Sequence, residues 1–138
     1  MPVNQLSRRH NNLVVCVQGE ENPSDKEWDE FLAVLRSGEG AAKASVLVYT
    51  DCSGPNSQQR DRLKATLGNA QTRAAIIAEK VTTRFIVSSI AFITPRIKTF
   101  RKTEIEEAFE FLGLDETTKG MARRTLREFI ALVSGKSS

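Results

Sequence analysis

The residues of this chain best placed to do chemistry stand between two hydrophobic patterns, in Thr50-Asp51-Cys52-Ser53-Gly54-Pro55-Asn56-Ser57. Before them runs the apolar Val46-Leu47-Val48-Tyr49, and after them a very polar stretch in which Leu63 and Leu67 mark one helical edge. A strand that ends in a short polar loop and turns directly into a helix leaves backbone N–H groups and small hydroxyls at one rim of a sheet. There Ser53 or Ser57 could accept a phosphate or line an anion pocket, with the helix dipole behind it. Cys52 offers a different chemistry, a thiol of lowered pKa used as a redox handle, although no Cys-X-X-Cys partner accompanies it. The plainer reading of Asp51, Ser53, Gly54, Asn56 and Ser57 is turn chemistry, with Pro55 in a first helical turn that tolerates a missing N–H.

A second polar cluster, Glu79, Thr82, Thr83 and Arg84, follows another apolar run and is expected beside the first. Arg84 would then meet Asp51 in a structural ion pair or help to bind an anion. Catalysis finds little support, because the sequence holds no Ser/His/Asp set, no metal-ligand cluster and no glycine-rich nucleotide loop. The single histidine, His10, lies in the N-terminal stretch and reads as a surface residue. The expectation is a protein that is not an enzyme and needs no cofactor or metal.

These residues need a scaffold, and the hydrophobic pattern supplies one. Residues 1–12 lack periodicity and read as a flexible arm, followed by one domain over 13–135. Leu13 to Val17, Ala44 to Thr50, Ala74 to Ala78 and Ile97 to Arg101 read as strands, with Ile97 and Phe100 facing inward from a basic edge. Ser24 and Glu27 form a capping-box pair before Trp28, Phe31, Leu32 and Leu35, which recur on one helical face. Thr103 with Glu106 suggests a second box, ahead of Ile105, Ala108, Phe109 and Leu112. A helix starting at Thr82 or Thr83 is apolar around most of its circumference, so Phe85, Ser89 and Phe92 are candidate interface residues, for instance in a homodimer. A last helix, within 115–134, turns Met121, Leu126, Phe129, Ile130 and Val133 inward and Arg123, Arg124 and Arg127 outward. Strands alternating with helices argue for an α/β fold of about four mostly parallel strands and about five helices. Right-handed crossovers would gather Gly19-Glu20, Asp51 to Ser57, Glu79 to Arg84 and Arg101-Lys102 at one rim.

Composition narrows the classes of partner. The net charge of +3 arises from 20 basic and 17 acidic residues that are interspersed, too small and too mixed to imply nucleic acid. No segment approaches the roughly 18 apolar residues of a membrane span. The run after Arg8 and Arg9 reads as a strand rather than a signal-peptide core, and the two cysteines sit in different settings, so the expected location is the cytoplasm.

The succession Ala74-Ala75-Ile76-Ile77-Ala78-Glu79, Thr83-Arg84-Phe85, Lys98-Thr99-Phe100 and Glu104-Ile105-Glu106-Glu107-Ala108-Phe109-Glu110-Phe111-Leu112 resembles the second half of STAS-like domains of the SpoIIAA-like group. The resemblance spans residues 13–114, leaves 115–134 as an added helix, and implies a bacterial signalling domain with a STAS or SEC14-like sheet. In anti-sigma-factor antagonists of that group, which are not enzymes, a switch serine follows an Asp in the loop opening the helix after the central strand. Its phosphorylation breaks binding to a partner kinase. Asp51-Cys52-Ser53-Gly54 is similar and points at Ser53, with two departures: the motif follows its strand at once, and Pro55 replaces an apolar residue. The resemblance implies a regulatory domain acting by protein–protein contact; other members suggest an alternative, a carrier of a small apolar or anionic, lipid-like ligand.

Overall fold

The structure, a computed structural model, describes residues 3–80 and 96–133. Strands β1 (Gln5–His10), β2 (Leu13–Gln18), β3 (Ser45–Thr50), β4 (Arg73–Ile77) and β5 (Ile97–Phe100) form one sheet in the order β1-β2-β3-β4-β5. β1 is antiparallel to β2, and β2 through β5 are parallel. The described helices are α1 (Asp25–Arg36), α2 (Ser57–Leu67), α3 (Ile105–Leu112) and α4 (Glu116–Val133). The expected helix around Phe85 to Ile93, with Thr83, Arg84, Phe85, Ser89 and Phe92, lies outside the described residues.

The strand the sequence did not announce is β1. Residues 5–10 were expected within a flexible arm, but they are the antiparallel edge of the sheet. The hairpin turns at Asn11, whose φ of 54° is in the left-handed region that asparagine tolerates. The strand is polar because it is an edge and its side chains have specific partners. Arg8 reaches Glu128 at 3.3 Å and lies 4.8 Å from the Phe129 ring centroid. Arg9 donates to the carbonyls of Leu35 (3.0 Å), Ser37 (2.7 Å) and Gly40 (3.1 Å), satisfying the carboxyl end of α1. His10, expected to be a plain surface residue, lies 2.7 Å from the buried hydroxyl of Thr125.

A parallel sheet that grows in one direction with right-handed crossovers must carry its connecting helices on one face. Accordingly α1 and α2 share a face, packing Trp28, Phe31, Leu35, Leu63 and Leu67 on Val14, Cys16, Val46 and Ala74. The opposite face, formed by Leu13, Val15, Val17, Leu47, Ala75 and Ile77, needs another cover. It comes from α3 and α4 through Phe109, Leu112, Ala122, Leu126 and Phe129. The C-terminal helix therefore closes the second core layer. Its inner stripe includes Ala122 and Thr125 besides the expected Leu126 and Phe129, while Ile130 and Val133 pack at the margin.

Local corrections follow the same logic. Ile97 and Phe100 do not share a face, since three positions along a strand reverse the side chain: Ile97 packs beside Val46 and Ala74, Phe100 beside Phe109. Thr103 and Glu106 do not form a capping box. The Arg101 N–H donates to Glu104 Oε1 at 2.7 Å, and Glu106 is held by Arg123 at 2.8 Å.

The box at Ser24 and Glu27 does form, and it does more than cap α1. Glu27 Oε1 accepts the Ser24 N–H at 3.0 Å, while Oε2 accepts the N–H groups of Asn4 at 2.9 Å and Gln5 at 3.2 Å. Burial would raise this carboxyl's pKa, but the hydrogen bonds outweigh it and hold the pKa below the ordinary value. A depressed carboxylate pKa contributes stability at neutral pH that is lost as the pH falls through the native value. Glu27→Gln is expected to lose about 1–3 kcal/mol at neutral pH, and the difference from the parent to shrink in acid, below the ordinary glutamate range. Denaturant midpoints measured at neutral and at acid pH check this, and equal midpoints at neutral pH would contradict it.

Candidate functional site

The four parallel strands end together. Gln18 is level with Thr50, Tyr49 with Ile77, and Ile77 with Phe100, so the segments that follow them meet at one edge. Asp51, Ser53, Gly54, Asn56, Ser57 and Glu79 are thereby brought to this rim. Thr83 and Arg84, expected among them, lie outside the described residues.

Lys102, just beyond β5, ties the rim together. Its ammonium donates to Asp51 Oδ1 at 2.7 Å, and its backbone N–H donates to Glu79 Oε1 at 2.8 Å. Its Nζ also stands 5.1 Å from the Tyr49 ring centroid. Burial would lower the pKa of this lysine, but the hydrogen bond and charge of Asp51 prevail and raise it. Asp51 thus has an ion-pair partner in Lys102, while Arg84, the partner expected for it, lies outside the described residues. That role was not visible in the sequence, because it needs a side chain from just beyond β5 to reach past β4 to the end of β3.

The loop itself is closed by its own polar groups. Gly54 has φ of 114°, which an L side chain rarely adopts, and its N–H points to Asn22 Oδ1 at 3.3 Å. Pro55 is not in the first turn of α2. Asn56 is the N-cap: it accepts from the Gln59 N–H at 2.8 Å, and Gln59 Oε1 accepts the Asn56 N–H at 3.1 Å. Pro55 therefore sits just before the cap, where its missing N–H also costs nothing. The Lys102 ion pair accounts for Asp51, the left-handed backbone for Gly54 and the helix cap for Asn56. Ser53 and Ser57 remain exposed at the surface of this braced loop.

Cys52 lacks the exposed, lowered-pKa setting of a redox handle. It is fully buried, its thiol 3.2 Å from Gln18 Oε1 and 3.1 Å from Thr50 Oγ1, and burial raises its pKa. Cys16 is likewise buried with its pKa pushed up. Both thiols should react with an aromatic disulfide reagent about 100-fold or more slowly in the native protein than after unfolding. A prompt release of one equivalent at neutral pH under native conditions would contradict the buried placement.

Behind the loop lies a cavity of about 70 Å³ on the α1/α2 face of the sheet. Trp28, Val48, Ile76 and Ile97 form apolar walls, and Gly54 and Pro55 bound its rim end. Its volume could house a few methylene groups or waters. Among the described residues no group of three or more His, Cys, Asp or Glu side chains is placed to hold a metal ion. None of the described helices is long and apolar enough to cross a membrane. His10 is level with Leu13, at the opposite end of β2 from the rim.

Comparison with protein-family models, curated proteins and solved structures finds no match to this chain. Fold and site define a class by architecture: a mixed five-stranded α/β chain whose parallel strands end at one polar rim over an apolar cavity.

Proposed function

We propose that this chain is a non-enzymatic, cytoplasmic regulatory domain of the STAS-like type that acts by protein–protein contact through the rim from Asp51 to Ser57, with Ser53 as its switch. The observation supporting this reading is the exposed hydroxyl of Ser53 on a loop whose neighbours are fixed by other contacts. A braced loop offers a partner a surface that needs little ordering on binding. A phosphate on Ser53 adds nearly two negative charges two residues from Asp51, at a rim that already carries Glu79, and so makes strongly negative a surface whose nearby charges are otherwise partly offset by Lys102. Affinity capture from the native lysate tests this with the parent, Ser53→Asp and Ser57→Asp. The expected result is a partner retained by the parent and lost by Ser53→Asp. Capture that is indifferent to both substitutions removes the rim as the contact surface.

The cavity favours a second reading, a carrier of a small apolar ligand held against Val48, Ile76 and Ile97. Native mass spectrometry of protein purified without detergent would then detect a bound mass that denaturation releases. An empty protein, together with no gain in melting temperature on adding short-chain alcohols or carboxylic acids of a few carbons, removes this reading.

A further inference from the structure

The outer edge of β5 lies apart from the rim and carries an inference that does not depend on it. Ala74 and Ala78 donate their N–H groups to the carbonyls of Arg96 and Phe100, each at 2.9 Å. Backbone groups alternate direction along a strand, so Lys98 and Phe100 bond toward β4 while the N–H and C=O of Ile97 and Thr99 point away from the sheet. β5 is the last strand in the sheet order, and among the described residues no strand pairs with these outward groups.

Basic side chains gather along this edge. Arg73, Arg96, Lys98 and Arg101 have no carboxylate partner among the described residues, a trait they share with cations such as Arg36, Arg124 and Arg127, but here four of them surround one strand. Arg73 instead donates to the Phe111 carbonyl at 2.9 Å, and Lys98 Nζ lies 5.3 Å from the Phe100 ring centroid. Arg73, Arg96, Ile97, Lys98 and Phe111 bound an open groove of about 500 Å³ beside the strand. Cations on an edge strand repel another copy of the same edge. The same cations attract a strand of opposite charge, so the edge discriminates between partners rather than being closed to all of them.

We propose that β5 is a docking edge for an extended acidic segment of a partner protein, which adds a strand to the sheet and sets carboxylates at alternate positions against Arg96 and Lys98. The alternation follows from the pleat, because strand residues two apart share a face. Main-chain bonds to Ile97 and Thr99 would supply affinity, and the groove beside Phe111 would select the side chains.

The test is fluorescence anisotropy with a labelled peptide of about ten residues, the length of a long strand, alternating glutamate with threonine. It is expected to bind in a salt-dependent manner. A peptide of the same composition with its glutamates in one block should bind about tenfold or more weakly. The pair R96E with K98E should weaken the alternating peptide by a similar factor. Thr99→Pro removes an N–H that does not bond to β4, so it blocks strand addition while sparing the ladder, and it too should weaken binding about tenfold or more. A peptide N-methylated at alternate residues makes the same test on the parent protein, whether or not the proline variant folds. Absence of binding overturns the proposal. So does equal affinity for the alternating and block peptides, indifference to N-methylation, or displacement by a single-stranded oligonucleotide as readily as by unlabelled peptide, since each of these marks general attraction of anions.

Discussion

A chain cut after Asp115 is expected to lose its cooperative fold, because α4 is half of the cover on one face of the sheet. Leu126 and Phe129 are each 4% exposed and Ala122 is fully buried, and they share a core with Leu13, Val15 and Val17 of β2. Burying one large apolar side chain contributes about 1.5–3 kcal/mol. Leu126 and Phe129 with the partly buried Ile130 and Val133 therefore supply several kcal/mol, before counting the strand residues they keep dry. A domain of this size has in total about 5–15 kcal/mol, so this loss alone consumes most of it. β1 would suffer as well, since Arg8 and His10 lose Glu128 and Thr125. The truncated chain should lack a sharp thermal transition and bind a hydrophobic dye strongly. A cooperative melt within about 10 °C of the parent would mean that α3 and the rest of the chain cover the sheet unaided. Within the full chain, Phe129→Ala is expected to cost about 3–5 kcal/mol.

This dependence bears on which parts of the architecture a reader of the sequence can see. The central strands announce themselves, because a strand buried on both faces is an unbroken apolar run, as in Leu13 to Val17 and Ala74 to Ala78. β1 does not, because an edge strand facing charged helices is written in Gln, Ser, Arg and His. The α1 cap is legible, since Ser24 and Glu27 are three apart and immediately precede the apolar stripe. At α2 Pro55 obscures the start of the helix, which Asn56 and Gln59, at that same spacing, begin. The rim was legible in outline, because parallel strands deliver their following loops to one edge whatever their exact ends. Its bracing was not. Lys102 reaches Asp51 only through the register of three strands, and Asn22 reaches Gly54 only because α1 and α2 lie on the same face. The cavity was out of reach too, since it depends on where packed helices fail to meet and not on any residue type.

Trp28→Ala is the second substitution expected to be severe, and it connects the core to the rim. The indole is 3% exposed, lies 5.2 Å from Phe31 between ring centroids, and donates its N–H to the carbonyl of Gln59 at 2.9 Å. Removing it costs about 3–5 kcal/mol, which for a chain of this length is a fall in melting temperature of roughly 10–20 °C. The position of Gln59 makes the effect reach further. Its side chain accepts the Asn56 N–H and donates to the Pro23 carbonyl at 3.1 Å and to Asp25 Oδ1 at 3.2 Å, so the starts of α1 and α2 are joined through one buried amide. Trp28→Phe keeps most of the packing and should cost only about 1–3 kcal/mol, for the carbonyl left without its donor. Gln59→Leu leaves the Asn56 N–H and the Pro23 carbonyl without their partner and should cost about as much. It should also loosen the Asp51 to Ser57 loop, because one of the two capping-box bonds at its far end is gone while the backbone bond of residue 59 to Asn56 stays. Hydrogen exchange separates the two effects: Trp28→Phe should leave the amides of residues 51–57 as protected as in the parent, and Gln59→Leu should raise their exchange while the amides of β2 and β3 stay slow. Equal exchange in the two variants would mean that the loop is held by Lys102 and Asn22, with the α2 cap contributing little.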